Sequence, residues 1–142
     1  MSIWKIEASL EQLNQRHRNT LAEHLEIKIV ELGDDFMKAS MPVDNRTHQP
    51  RGILHGGASV VLAESVGSFA ANLVLEDGFF AVGLDINANH IKMVRSGLVI
   101  ATATPAHLGR STQVWDIRIH DEADKLVCVS RLTMAVLPGE SK

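Results

Sequence analysis

The stretch that decides the fold is HGGASVVLAESVGSFAANLVL, residues 55–75. Wound into a helix, it carries apolar side chains on nearly every side, which is typical of a buried helix. The glycine pair at its start and Gly78 beyond it predict a helix that begins near Gly57 and ends near Glu76-Asp77-Gly78. We therefore expect the rest of the chain to pack around this helix.

Shorter elements are expected on both sides of the helix. Before it, Leu10–Leu21 has the pattern of a short helix, while Glu26–Leu32 and Phe36–Pro42 form a hairpin across the turn Gly33-Asp34-Asp35. After it, alternating apolar and polar residues predict an antiparallel meander. Its strands are Phe79 to Asn89, Leu98 to Thr104, Gln113 to His120 and Leu126 to Val136. The prediction is an α+β fold, with one long helix laid on an antiparallel sheet.

Composition places the chain among soluble globular proteins. Its 142 residues, 45% hydrophobic and 22% charged, fit one domain over residues 1–142. The net charge of -3 argues against a nucleic-acid partner. Cys128 is the only cysteine, the start lacks a signal-peptide pattern, and polar residues interrupt the most apolar stretch. We therefore expect a cytoplasmic protein with no disulfide and no membrane partner.

The polar residues of the helix are the informative ones. Glu64, Ser68 and Asn72 stand at i, i+4 and i+8, so they form a stripe on one face. One interpretation is that the stripe is a solvated edge. The other is that Glu64 lines a dry cleft, where its pKa would be raised and it would serve as a base or nucleophile. The pattern favours neither.

The helix start adds weight to the catalytic interpretation. Gly56 and Gly57, just after His55, leave backbone N–H groups open at the positive end of the helix dipole, where an oxyanion is stabilised. Together with a nearby acid, this suggests acyl transfer. From Gly57 to Glu64 the helix rises about 10 Å, however, so one helix cannot present both groups to one carbonyl carbon. If both act, the site lies at a dimer interface.

Other constellations are weaker. The histidines lack metal-ligand spacing, no Gly-x-Ser-x-Gly elbow is present, and Cys128 fits buried strand packing. Asn87-Ala88-Asn89-His90 is either an edge or bulge of a strand, or a segment that faces a ligand. His107-Leu108-Gly109-Arg110 is either a plain turn or a phosphate-binding one.

Several short motifs stand together in this chain. They are Met41–Asp44, Gln49-Pro50, Gly52–Ser59, Ala63-Glu64-Ser65, Asn87–His90, Leu108-Gly109-Arg110 and Gln113-Val114-Trp115. The set resembles the hotdog thioesterases of the PaaI-like group, from Trp4 to Leu137. It is closer to the bacterial branch that hydrolyses 1,4-dihydroxy-2-naphthoyl-CoA or proofreads aryl carrier protein in enterobactin synthesis.

The resemblance implies a hotdog fold, in which a curved antiparallel sheet wraps the long helix. It implies hydrolysis of an acyl-CoA with an aromatic acyl group, a link to menaquinone biosynthesis, an acylated carrier protein as a further partner, and no metal or organic cofactor. Paired chains would join their sheets, and two dimers would form a homotetramer with active sites at the dimer interface.

The resemblance also implies roles for individual residues. Glu64 would be the nucleophile or general base, Gln49 and His55 would hold and polarise the thioester, the Gly56 N–H would be the oxyanion donor, and Ser68 would assist near Glu64. The segments implied to contact CoA consist of Gly83, His90, Ile91, Lys92, Met93, His107, Leu108, Gly109, Arg110, Ser111 and Thr112.

Two positions depart from the family. Arg51 stands where relatives usually carry an aromatic residue, and Lys92-Met93 replaces a more basic or polar pair. Two other functions stay open at this point. One is a hotdog dehydratase or enoyl-CoA hydratase using His55 and Glu64, and the other is a non-catalytic module that binds acyl-CoA or a carrier protein. The residues do not decide the acyl group or the choice between covalent and general-base catalysis.

Overall fold

The computed structural model describes residues 1–139. Its helices are α1 (Leu10–Gln15), α2 (Leu21–His24) and α3 (Gly56–Leu73), and its strands are β1 (Lys28–Leu32), β2 (Met37–Pro42), β3 (Phe79–His90), β4 (Leu98–Leu108), β5 (Thr112–Asp121) and β6 (Leu126–Pro138). The strands form a six-stranded antiparallel sheet in the order β1-β2-β4-β5-β6-β3. The helix α3 contacts β2 to β6, which confirms the predicted α+β arrangement. Residues 140–142, included in the predicted domain, lie outside the described residues.

The core lies between α3 and the sheet. Leu62, Val66 and Ala70 are fully buried on the face of α3 that meets the strands. Gly67 stands among them, and a Cβ there would lie 2.6 Å from Leu132 Cδ2 on β6, so a side chain would force Leu132 or the helix to shift. Although α3 is largely apolar, no helix within residues 1–139 is long and apolar enough to cross a membrane.

The predicted helix Leu10–Leu21 was wrong, because the chain breaks it into α1 and α2. α1 has a capping box between Ser9 and Gln12 and ends after one and a half turns. Asn19 then adopts a φ of 62°, which lies outside right-handed helical backbone. Glu26, the predicted first residue of β1, likewise has a positive φ of 54°, and the strand begins two residues later, at Lys28.

The end of α3 was also predicted too late. The helix ends at Leu73, five residues before Gly78, whose φ of 92° belongs to the turn that leads into β3. In the last turn of the helix, the side chain of Asn72 is bonded to β3. Its Oδ1 accepts the Ala81 N–H at 2.8 Å, and its Nδ2 donates to the carbonyls of Ala81 (3.2 Å) and Ser68 (2.8 Å). Asn72 is therefore a structural link and not a free polar group on the stripe.

β3 forms one edge of the sheet. It pairs with β6 on one side, and no other strand of residues 1–139 pairs with its second side. Val82 and Leu84 on this strand are 42% and 62% exposed. The segment Asn87–His90 lies in β3, so the interpretation as an edge is confirmed. A long exposed edge of this kind is a template for pairing with another chain.

We predict that Asn72→Leu lowers the free energy of unfolding by about 1–3 kcal/mol, because the N–H and C=O of the buried Ala81 lose their partner. Urea unfolding measures the change. Asn45→Leu, in an exposed loop, is the matched control and should alter stability by less than about 0.5 kcal/mol. An Asn72 variant as stable as the control variant would contradict the role of Asn72 as a link.

Candidate active site

The start of α3 is held in place on both sides. The His55 N–H donates to the Thr47 carbonyl at 2.8 Å, and the Leu54 N–H donates to the Val94 carbonyl at 2.7 Å. The His55 side chain then caps the helix, because its Nδ1 accepts the Gly57 N–H at 2.8 Å. In the uncharged imidazole an accepting Nδ1 leaves the hydrogen on Nε2, so His55 keeps one donor for a ligand.

The Gly56 N–H is the open donor at this helix start. The His55 carbonyl accepts the N–H groups of Ala58 and Ser59 at 3.0 and 3.2 Å, and the His55 side chain takes that of Gly57. The Gly56 N–H has no acceptor within residues 1–139, since the first N–H of a helix has none inside the helix. An open N–H at the positive end of the dipole can stabilise an oxyanion.

A cleft of about 300 Å³ opens beside this helix start. A Cβ on Gly56 would lie 2.9 Å from His90 Nε2, so the glycine makes room for the imidazole. The chain after β3 is held there by N–H bonds from Ile91 (2.8 Å) and Lys92 (3.3 Å) to the Val127 carbonyl. The predicted site residues that line this helix-start cleft are Gln49, Gly56, His90, Ile91, Lys92 and Met93.

Gln49 is oriented by its own turn. Its Oε1 accepts the Arg51 N–H, and its carbonyl accepts the Gly52 N–H at 2.9 Å. Gly52 is required in this turn because its φ is 74°. With the side-chain oxygen engaged, the Gln49 amide –NH₂ is the end that can donate to a carbonyl in the cleft. Arg51 is exposed on the same turn.

The ammonium group of Lys92 is already paired. Its Nζ lies 2.5 Å from Asp121 Oδ2, and Asp121 Oδ1 accepts the N–H groups of Ala123 (3.0 Å) and Lys125 (2.9 Å). The hydrogen bond from Lys92, followed by that from the Lys125 N–H, holds the pKa of Asp121 below its ordinary value of 3.8. An anionic ligand must therefore compete with Asp121 for Lys92.

Glu64 belongs to a second group of predicted residues, farther along α3. Its half-buried carboxylate fills the space in front of Gly83 on β3, where a Cβ would overlap Glu64 Oε2. The absence of a side chain at Gly83 therefore leaves room for the Glu64 carboxylate. Ser68 follows one helical turn later and is also half-buried. The rise from Gly56 to Glu64 is about 12 Å, so the two groups are separate in one chain.

The turn between β4 and β5 lies at the same end of the sheet as Gly83. Gln113 pairs with Met134 on β6, and Met134 pairs with Gly83. Two strand spacings, or about 10 Å, therefore separate the start of β5 from Gly83. The turn itself is tight, since the Gly109 N–H donates to the Thr112 carbonyl at 2.9 Å. The predicted segment His107–Thr112 thus lies on the side of Glu64 and does not line the helix-start cleft.

A second cavity, of about 360 Å³, lies between the α1–α2 segment and α3. Ser65, Ser68 and Phe69 line it from α3, and His17 and Leu21 line it from the N-terminal segment. His17 was missed by sequence reasoning, because a lone histidine among polar residues carries no periodic signal. Among residues 1–139, no three His, Cys, Asp or Glu side chains form a group that could hold a metal ion.

Comparison with known proteins identifies the family. Residues 51–128 match the model of the thioesterase superfamily. A crystal structure of a thioesterase from Haemophilus influenzae superposes with a TM-score of 0.94 at 56% identity, covering 96% of this chain and 95% of that one.

Two sequence relatives carry more specific names. The 1,4-dihydroxy-2-naphthoyl-CoA hydrolase of Escherichia coli strain K12 is 51% identical over 95% of this chain and 99% of its own. The proofreading thioesterase EntH of Cronobacter turicensis is 50% identical over 95% of this chain and 98% of its own. The predicted resemblance is confirmed, and hydrolysis is favoured over the hydratase and the binding module. This chain belongs to the thioesterase superfamily, as a thioester hydrolase with the hotdog fold.

Proposed function

We propose that this thioesterase hydrolyses an aromatic acyl-CoA at a site that two copies of the chain build together. The observation that carries the proposal is the division of the predicted residues into two groups. Gln49, His55 and Gly56 stand at the start of α3, whereas Glu64 stands about 12 Å along it against β3. Neither group is complete without the other.

The free edge of β3 supports the pairing. Glu64 lies against Gly83, the fifth of the 12 residues of this strand, and His90 beside Gly56 is its last residue. In a two-fold antiparallel pair of β3 strands, the start of each strand faces the end of the other. Glu64 of one copy would then approach the helix-start cleft of the second copy. The joined sheets would form a dimer, and two dimers would form the tetramer.

The chemistry follows from the donors. The Gly56 N–H, the Gln49 amide and the His55 Nε2–H draw charge onto the thioester oxygen as the carbonyl carbon becomes tetrahedral. Glu64 either attacks that carbon, giving a mixed anhydride that water opens, or removes a proton from the attacking water. In both routes CoA leaves as a thiolate and takes up a proton. In this proposal Ser68, one helical turn from Glu64, orients the attacking water.

The name of one relative supports an aryl group. One relative is named for 1,4-dihydroxy-2-naphthoyl-CoA and another for proofreading. We infer a CoA ester as substrate, an acylated carrier protein as a further partner, and the cytoplasm as the location. The segments His90–Met93 and His107–Thr112 would hold CoA from opposite copies, because they lie on different sides of one chain.

We predict that Glu64→Gln lowers kcat for benzoyl-CoA by about 10²–10⁴-fold, because the amide neither attacks nor accepts a proton. The mass in solution should not change. Glu76→Gln, an exposed acid after α3, is the control and should keep its activity. Near-normal turnover by Glu64→Gln would refute the assignment. A single turnover of the wild type in oxygen-18 water separates the two routes, since label in Glu64 requires the anhydride.

A shared site predicts complementation. Glu64→Gln and Gln49→Ala should each be nearly inactive alone. In a mixed dimer, however, one site receives Glu64 from one chain and Gln49 from the other, so co-expression should restore activity. The measurement is kcat of differently tagged chains purified through both tags. Mixed dimers no more active than the parents would show that each chain carries its own site.

Competition between Asp121 and CoA for the Lys92 ammonium group predicts that substitutions at Asp121 and at Lys92 change the inhibition constant of CoA in opposite directions. Asp121→Asn frees the ammonium group while the amide oxygen still accepts from the turn, so the inhibition constant of CoA should fall by about two- to tenfold at low salt. Lys92→Met should raise it. Inhibition assays at two salt concentrations measure both. Unchanged constants in both variants would remove Lys92 from the CoA contacts.

A further inference from the structure

The cavity between the α1–α2 segment and α3 is lined by two serines that lie close to the proposed catalytic acid on α3, although Glu64 itself does not line it. Ser65 follows Glu64 directly and Ser68 lies one helical turn on, and both side chains line the cavity. Its volume of about 360 Å³ is within the range of small-ligand sites. Leu21, Ala22 and Phe69 make its wall largely apolar. It therefore offers an apolar space within one helical turn of Glu64.

His17 is the unusual member of this wall. The residue is only 8% exposed, and its ring meets Phe69 edge to face at 5.2 Å between centroids and 83° between planes. Its Nδ1 lies 3.1 Å from the carbonyl oxygen of Ile27. A carbonyl oxygen only accepts, so Nδ1 carries the hydrogen of this bond. In the uncharged ring, Nε2 is then an acceptor with a fixed direction.

The Nε2 atom of His17 faces open space. Within residues 1–139 no hydrogen bond reaches Nε2. In that range, Ser130 Oγ is the only side-chain nitrogen or oxygen that is fully enclosed and lacks a hydrogen-bond partner. The unpaired Nε2 of His17 is therefore not fully enclosed. Since His17 is itself nearly buried and lines the cavity, the cavity is the space that Nε2 reaches.

Two of the polar neighbours are already committed. Thr20 Oγ1 donates to the His17 carbonyl at 2.6 Å, and the Asn72 side chain is bonded to Ala81 and Ser68. The Thr20 oxygen can still accept a hydrogen bond, but Thr20 is exposed to water, so His17 Nε2 is the buried acceptor on the wall formed by the N-terminal segment. A ligand without a donor would leave this acceptor desolvated and unpaired, which is costly.

We propose that His17 is a specificity-determining residue: the cavity takes the acyl group, and His17 Nε2 accepts a hydrogen bond from a hydroxyl on it. The inference rests on the proposed function, because it assigns the acyl group of that reaction to this cavity. It goes further in naming the residue that would recognise a ring hydroxyl, a group already present in the name of the 1,4-dihydroxy-2-naphthoyl-CoA hydrolase relative. Acyl groups that carry a hydroxyl on the ring are preferred over unsubstituted ones.

The test compares kcat/KM for benzoyl-CoA, 3-hydroxybenzoyl-CoA and 4-hydroxybenzoyl-CoA at pH 8. The wild type should favour one hydroxylated ester over benzoyl-CoA by about tenfold or more, the size of one well-made hydrogen bond. His17→Phe keeps the aromatic contact with Phe69 but has no acceptor, so the preference should vanish through loss of activity on the hydroxylated ester. His17→Gln restores an acceptor and should recover part of it. His24→Phe, at an exposed position outside the cavity, is the control and should leave the preference unchanged.

A spectroscopic measurement separates recognition from a structural role and does not require the His17 variants to fold. In Glu64→Gln labelled with nitrogen-15 histidine, the Nε2 signal of His17 should move with the hydroxylated ester and not with benzoyl-CoA. Three results would overturn the assignment of His17 without affecting the proposed function. They are equal kcat/KM values of the wild type for hydroxylated and unsubstituted esters, a preference that persists in His17→Phe, and an Nε2 signal that does not move. Turnover of straight-chain but no aryl esters by the wild type would overturn the proposed aromatic substrate together with it.

Discussion

The close contact between α3 and the sheet is the constraint on which the rest of the structure depends. Gly67 allows the contact with β6, because a Cβ there would lie 2.6 Å from Leu132 Cδ2. At that separation, Gly83 on β3 is needed to make room for the Glu64 carboxylate, and Gly56 to make room for His90. Both proposed halves of the active site therefore follow from glycines placed where helix and strand nearly touch.

This packing leaves one side of β3 unpaired while it uses the other side for β6. An exposed edge strand is ordinarily a hazard of aggregation. Here the same edge carries Gly83 in its first half and His90 at its end, next to Glu64 and Gly56 respectively. A second copy would cover the edge and complete the site at once. Assembly and catalysis would then depend on the same backbone hydrogen bonds.

Local patterns predicted most of the elements. Alternation along β3 to β6 and the apolar run of α3 are periodic signals that neighbouring residues produce themselves. The failures have a different origin. Asn19 and Glu26 adopt left-handed backbone, which nothing in their immediate sequence requires, and α3 ends at Leu73, next to the Asn72 side chain that bonds Ala81. These features depend on how segments that are distant in the chain pack together.

The sequence by itself determined that an acid and an open helix start stand on one buried helix, too far apart to serve one carbonyl. That conclusion needs only the helical rise of 1.5 Å per residue. Only the tertiary structure decided that Glu64 lies against Gly83, that Asn72 is a structural link, and that His17 is buried beside Phe69. Each of these contacts joins residues from different elements. The spacing of these residues along the chain does not predict the contacts, because the packing of the helix on the sheet brings them together.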